Sequence, residues 1–280
     1  MKAIKPILLF CAALCFATSC KKEVDMTLLQ KTMYENTDFS MFHVDDAWEV
    51  TFVYDSLNSF VELEYSAYLE EHVSVIDTNN WLAIGFRDRF HKETGSVFKA
   101  TVHTAEKEAL SIMAENASVI TMEGHFDLEH INIELHDASV CNGLAVSAES
   151  CYLHLDAGSQ MLGVQYVGTE CSVYVYNESS CKGSFIVEQT FNTGVYNQSQ
   201  LVVFGGSMPS VSIEAKNAFT INMAQAEVQD MYVHLADTSE ATVNVAETIS
   251  GFLLSGSTLY YKGHPQLQVE CDESSSMIPF

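Results

Sequence analysis

Apolar and polar residues alternate along short runs of this chain, and from Ser118 onward the runs return about every 20 residues. The recurring mark is a turn whose anchors are Ser118, Ser139, Ser159, Ser180, Ser199, Phe219, Ser239, Ser257 and Ser275. Eight, six and four residues before the anchor stand Leu110, Ile112 and Ala114, then Ile131, Ile133 and Leu135, then Cys151, Leu153 and Leu155. The same count in the fourth copy gives Ser172, Tyr174 and Tyr176. Two residues past the anchor come Ile120, Cys141, Met161, Leu201 and Ile221, a column that Lys182 breaks. Strand side chains alternate with a period of two, so these positions share one face of an extended segment.

A fixed short period marks a solenoid, in which each unit buries its apolar face against the next. The pattern predicts an all-β fold, a single-stranded right-handed parallel β-helix with about 20 residues per coil, stacked about 4.8 Å apart. A helical solenoid would need a 3.6-residue period and units of typically about 33 residues. An antiparallel sandwich also alternates, but it does not require every second turn to carry one signature. Ile133, Leu153 and Tyr174 are expected in one interior column. Asn116, Asp137, Asn197, Asn217 and Asp237, two places before their anchors, are turn formers whose side chains bond local backbone.

The first 19 residues read differently. Lys2 and Lys5 precede an apolar core from Ile7 to Ala17, and the small residues Ala17, Thr18 and Ser19 lead directly to Cys20. This resembles a bacterial lipoprotein signal, which implies lipidation at Cys20. The expected organisation is a signal peptide at 1–19, a lipidated tether at 20–37 and a β-helical domain at 38–280, less regular over 38–110 and regular over 110–280. The expected location is the bacterial cell envelope, held at the outer membrane by lipid, facing the periplasm or the exterior.

Removing the two signal lysines leaves 11 basic residues against 37 acidic ones, a mature charge of −26. Such a surface repels nucleic acid and acidic polysaccharide. One local basic cluster, Arg87, Arg89, His91 and Lys92, reads as a solvated loop. Beyond Cys20 the cysteines are Cys141, Cys151, Cys171, Cys181 and Cys271, an odd number that leaves at least one unpaired within the chain. Cys141 and Cys181 are two coils, roughly 9.6 Å, apart, beyond disulfide reach. Cys151 and Cys171 lie one coil apart and form the one conceivable bridge, although the anchor count, eight and nine residues back, places them on opposite faces.

Outward positions carry the chemistry. Three and five residues before their anchors, Glu134 and His136 share one coil, and His154 and Asp156 the next. Stacking sets Glu134 beside His154 and His136 beside Asp156. These are ligand and acid-base residue types, and the bland reading is a favourable cross-strand charge ladder. The ladder is the expectation, with no metal and no cofactor. His234 lies four coils from His154. His125, Asp127 and His130 read as a solvated turn, and the Asn-x-Ser sequences at Asn116, Asn177 and Asn197 as the turn signature itself. No Gly-x-Ser-x-Gly, Walker, Rossmann or zinc-protease pattern occurs.

Residues 38–86 alternate as strands with hairpin-like breaks at Asp55-Ser56 and at 78–80, and residues 254–268 read LSGSTLYYKGHPQLQ. With Tyr261-Lys262-Gly263-His264-Pro265, similar to a late Tyr-Lys-Gly-Asn-Pro motif, they resemble the putative auto-transporter adhesin head GIN domain family over about residues 37–280. That resemblance implies a β-helical extracytoplasmic protein, commonly a lipoprotein, and supplies no catalytic residues.

Two function classes follow. The first is a non-enzymatic envelope lipoprotein using its sheet faces for adhesion to a glycan or protein. The second is a carbohydrate-active β-helix enzyme, a lyase or hydrolase, which needs a cleft flanked by long loops. The short, even coils and scarce basic residues favour the first.

Overall fold

The computed structural model describes residues 28–35, 39–78, 80–88 and 92–280, so the signal segment, Cys20, Arg89 and His91 lie outside the described residues. The chain forms a parallel β-solenoid of about nine turns with roughly 20 residues per turn. Its irregular first part contains β1 (Leu29–Glu35), β2 (Phe39–Val44), β3 (Glu49–Tyr54), β4 (Phe60–Ser66), β5 (Val73–Thr78), β6 (Asn80–Phe86) and β7 (Phe98–Thr104). The regular part follows as β8 (Ala109–Ala114), β9 (Val119–Glu123), β10 (Phe126–Leu135), β11 (Val140–Asn142), β12 (Ala145–Leu155), β13 (Gln160–Val175) and β14 (Ser180–Tyr196). It continues through β15 (Gln200–Gly205), β16 (Ser207–Lys216), β17 (Thr220–Ala236) and β18 (Glu240–Leu253) to β19 (Thr258–Lys262), β20 (Gln266–Cys271) and β21 (Ser276–Pro279). Among the described residues no helix is long and apolar enough to cross a membrane.

A typical coil has three straight runs. The pairing of β13 with β14 falls at 160–162, 164–168 and 170–175, separated by register shifts. We call these runs the first, second and third faces. Inward side chains stack in register from coil to coil: Ile112, Ile133, Leu153 and Val173 make one column on the third face, each fully buried. Burying one such aliphatic side chain is worth about 1.5–3 kcal/mol, and the column repeats that gain at every coil.

The turns explain the recurring serine. Two residues in the left-handed region precede it, as at Asn116-Ala117, Asp137-Ala138, Asn177-Glu178, Asn197-Gln198 and Asp237-Thr238. Asn and Asp are among the few residues that tolerate this region. The serine that follows is buried, and in the turns of Ser118, Ser159, Ser239 and Ser257 its hydroxyl donates to the carbonyl three residues back at 2.6–2.7 Å. The oxygen also accepts from the previous coil, as from Ser159 N–H to Ser179 Oγ at 3.1 Å. A small side chain fits the place, and serine adds both bonds where its neighbours allow.

That geometry corrects the sequence register in one coil and the anchor residue in another. The fourth anchor is Ser179, not Ser180, because Asn177 and Glu178 are the left-handed pair. The inward residues of that coil are Cys171, Val173, Val175 and Cys181, while Tyr174, Tyr176 and Lys182 turn outward. In the sixth turn only Asn217 is left-handed, Ala218 occupies the buried place, and Phe219 is 67% exposed.

The first coils do not stack in sequence order. β2 lies between β6 and β8, and β3 between β7 and β9, all parallel, so the coil holding β2 and β3 is inserted below a coil made later in the chain. The outer edge is then covered by antiparallel strands: β5 folds back on β6, and β4 runs along β7 with β1 beyond it. Such a cover removes an open sheet edge. β1 falls within 20–37, the segment read as a tether, so folded structure begins before Asp38. The break at 78–80 is a hairpin; the one at Asp55-Ser56 is not, since β3 and β4 pair with other strands.

Candidate functional site

The third face carries the densest chemistry, and strand parity puts it there. Its outward columns are set by register. One runs Trp81, Met41, Ser111, Asn132, Tyr152, Ser172, and the adjoining one His43, Met113, Glu134, His154, Tyr174, Gly194, Glu214, His234, Phe252. Trp81, Met41, Tyr152, Tyr232 and Phe252 of this face are each about two-fifths exposed or more.

At the middle the rings touch. Tyr176 and Tyr196 stack at 4.9 Å between centroids, 10° from parallel. His154 stacks on Tyr176 at 5.2 Å and on Tyr152 at 6.4 Å, and Tyr152 meets Tyr174 at 5.7 Å. Gly194 makes the space: a Cβ there would fall 2.6 Å from Tyr196 and 2.8 Å from Tyr174. Burial, then the Glu214 carboxylate, pushes the Tyr196 phenol up to about 12. Burial likewise raises Tyr152 and Tyr176. These phenols stay neutral hydrogen-bonding groups at the rim of an apolar strip.

The imidazole end adjoins it. The register pairs Glu134 with His154, as the spacing anticipated, and the Asp156 N–H bonds Leu135 O, which places Asp156 beside His136. Ligand atoms of His136, His154 and Asp156 all lie within 4.8 Å of one another. Glu134 sits to the side, 3.9 Å from His136 Nε2, and accepts from Asn132 at 2.9 Å. One oxygen of Asp156 accepts from Ala157 N–H at 2.7 Å and from Asn177 Nδ2 at 2.6 Å.

Other candidates stay apart. His234 meets Phe252 at 6.3 Å, farther along the face. His125 and His130 bond Ser147 and Ser150 separately. Lys92 donates to Asp46 O at 2.8 Å and lies over the rings of Phe86 and Phe98 at 4.7 and 5.3 Å, a packing role rather than a solvated loop. Cys151 and Cys171 stand opposite one another in register on the same inward face, not on opposite ones, and both thiols are free.

Tyr174 and Tyr176 are outward residues of this face that the sequence reading put in the core. The signal that would have found them is the Asn177-Glu178 pair, which matches Asn197-Gln198 one coil later and fixes the anchor at Ser179.

A family model described as putative auto-transporter adhesin, head GIN domain, matches residues 38–265. The chain belongs to that family, whose adhesin character is that of a cell-surface or envelope protein. Among solved structures, a putative adhesin from Parabacteroides distasonis ATCC 8503 is 13% identical with a TM-score of 0.62, covering 90% of this chain and 96% of its own. A putative adhesin from Parabacteroides merdae ATCC 43184 is 11% identical with a TM-score of 0.58 over the same shares. A putative lipid binding protein from Parabacteroides distasonis ATCC 8503 is 9% identical with a TM-score of 0.59, again over 90% and 96%. At these identities the likeness is one of fold. No curated protein matches the chain.

Proposed function

We propose that this chain is a non-enzymatic adhesion protein of the bacterial envelope that holds carbohydrate chains against the third face. The observation that carries the reading is the strip of stacked rings from Tyr152 to Tyr196. An aromatic face carries negative quadrupole charge and offers a flat apolar plate, to which the C–H face of a sugar ring is complementary. Phenol and carboxylate groups beside the plate, among them Tyr196 and Glu214, can bond sugar hydroxyls. The strip follows the solenoid axis, which fits an extended glycan. The net charge of −24 for the full chain favours neutral or cationic sugars over uronates and sulfates. The family description accords with an adhesive role.

Hydrolysis of a glycan generally requires two carboxyl groups flanking the bond. The depression that includes Met208, Pro209 and Glu227 offers one, whereas the depression beside β1 and β4 carries Glu62 and Glu64, the latter paired with Lys31 at 2.7 Å. Binding is the better supported reading because the stacked rings lie on an open sheet face and not around a carboxylate pair. The test is a panel of neutral, cationic and acidic glycans incubated with the purified protein. Retention without product release, lost in a Tyr176→Ala, Tyr196→Ala variant that still folds, is the expected result. Release of shortened sugars would favour the enzyme class instead.

The anchor belongs to the same proposal: lipid on Cys20 holds the protein at the outer membrane. Cys20→Ala should move it from the membrane to the soluble fraction, since the acyl chains supply the attachment. Continued membrane partition would overturn the lipid anchor.

A further inference from the structure

We propose that His136, His154 and Asp156 form a binding site for a divalent transition ion of the zinc type, with one coordination position left open. The donor set is two imidazole nitrogens and a carboxylate oxygen, which suits Zn²⁺ far better than the all-oxygen preference of Ca²⁺ or Mg²⁺. Bonds of about 2.0–2.2 Å in a tetrahedral site put ligand atoms roughly 3.4 Å apart. The three side chains offer atoms within 4.8 Å of one another, so small rotations about side-chain torsions close the site without moving backbone.

The three groups are held from outside, which a loose surface ladder would not require. His154 is fixed by stacking on Tyr152 and Tyr176. Asp156 has one oxygen engaged by Ala157 N–H and Asn177 Nδ2, and its second oxygen is left to turn toward the imidazoles. Asn177 is itself held by Asn197, whose Nδ2 donates to Asn177 Oδ1 at 2.8 Å. Glu134, steadied by Asn132, lies 3.9 Å from His136 Nε2, and a short approach makes it the carboxylate that orients a metal-bound imidazole. Equal coil length generates the arrangement. His136 and Asp156 occupy the same place in successive turns, and His154 stands two residues before Asp156 on the same side of its strand. The register pairs of Glu134 with His154 and of Asp156 with His136 would serve a charge ladder as well, but the His136 and His154 rings also approach each other to 5.5 Å, which a ladder does not require and a shared ion does.

The site does not depend on the glycan reading. Zinc binding is measured with no sugar present and glycan binding in the presence of a chelator, so either can fail alone. Calorimetric titration with ZnCl₂ is carried out at neutral pH on purified protein carrying Cys271→Ser, which removes the one described exposed thiol as a competing ligand. One ion per chain is expected, with a rise in melting temperature that grows with free zinc, since an ion bound only to the folded state stabilises it by about 2.7 kcal/mol at a hundredfold excess over Kd. His154→Asn should weaken zinc at least tenfold, and His136→Ala with His154→Ala should abolish the shift. His125→Ala with His130→Ala should leave it unchanged. No zinc binding, or binding that survives loss of both His136 and His154 in a variant with normal strand circular dichroism, would overturn the site.

Discussion

Tyr196 lies flat over Tyr176, 4.9 Å away and 10° from parallel, and the pair rests where Gly194 presents no side chain. The stack therefore depends on a missing methyl group as much as on two phenols. The atoms nearest a methyl at Gly194 belong to the Tyr196 and Tyr174 side chains, which can swing toward solvent, so Gly194→Ala should leave the melting temperature nearly unchanged and reduce the near-ultraviolet tyrosine dichroism. Gly168 is the contrast: a Cβ there would fall 1.7 Å from the Ala148 carbonyl oxygen. Gly168→Ala should cost about 3 kcal/mol or more, since backbone cannot yield as a side chain does. Urea unfolding of both variants checks the pair.

The buried serines should not be equivalent. Ser239 Oγ donates to Ala236 O at 2.6 Å and accepts from Ala218 N–H at 3.1 Å, whereas Ser139 Oγ is buried without a hydrogen-bond partner. Ser239→Ala leaves a buried N–H unpaired and should cost about 1–3 kcal/mol. Ser139→Ala should cost less than about 1 kcal/mol. Equal losses would mean that the hydroxyl matters only for its size.

Alkali should loosen the fold through its tyrosines. The Tyr196 phenol titrates at about 12 when folded against an ordinary 10.0, so above pH 10 the folded chain keeps a proton that the unfolded chain has lost. Its contribution is complete below pH 10 and is lost as pH rises through 12. Stability measured by urea unfolding should fall across that window, and less steeply in Tyr196→Phe.

Four of the described thiols should be inert. Cys141, Cys151, Cys171 and Cys181 are buried, and burial pushes Cys141 up to about 12 and raises Cys171 and Cys181 as well. The thiolate is the reactive form, so alkylation of native protein, read by mass spectrometry, should label Cys271 alone among the five. Rapid labelling of Cys151 or Cys171 would show that the coils open locally.

The period, the strands and most interior columns are legible in the sequence because each coil repeats one packing problem and evolves one answer. The lapse at Tyr174 and Tyr176 has a local cause: Ser179 and Ser180 are adjacent serines, and serine alone does not say which is buried, although the preceding Asn177-Glu178 pair does. One residue of slip exchanges the faces of a strand, which hid half of the aromatic strip. His136, His154 and Asp156 were legible as neighbours because their coils are equal in length. Insertion of β2 and β3 beneath β6 and β7 was not, because which edges meet is settled by long-range pairing that leaves no period.

Asn116, Asn177 and Asn197 match the acceptor pattern for N-linked glycans, and in the fold their amides are already spoken for. Asn116 donates to Asp45, Asn177 to Asp156 and Asn197 to Asn177. A eukaryotic secretory host would attach a bulky sugar to the same nitrogens, taking a hydrogen from each and crowding the turn. One of the links at stake is the one that holds Asp156. The choice of expression host thus becomes a structural variable: protein made in bacteria keeps the amide ladder, and protein secreted from yeast or animal cells would carry a lesion beside the imidazoles unless Asn177 and Asn197 escaped modification.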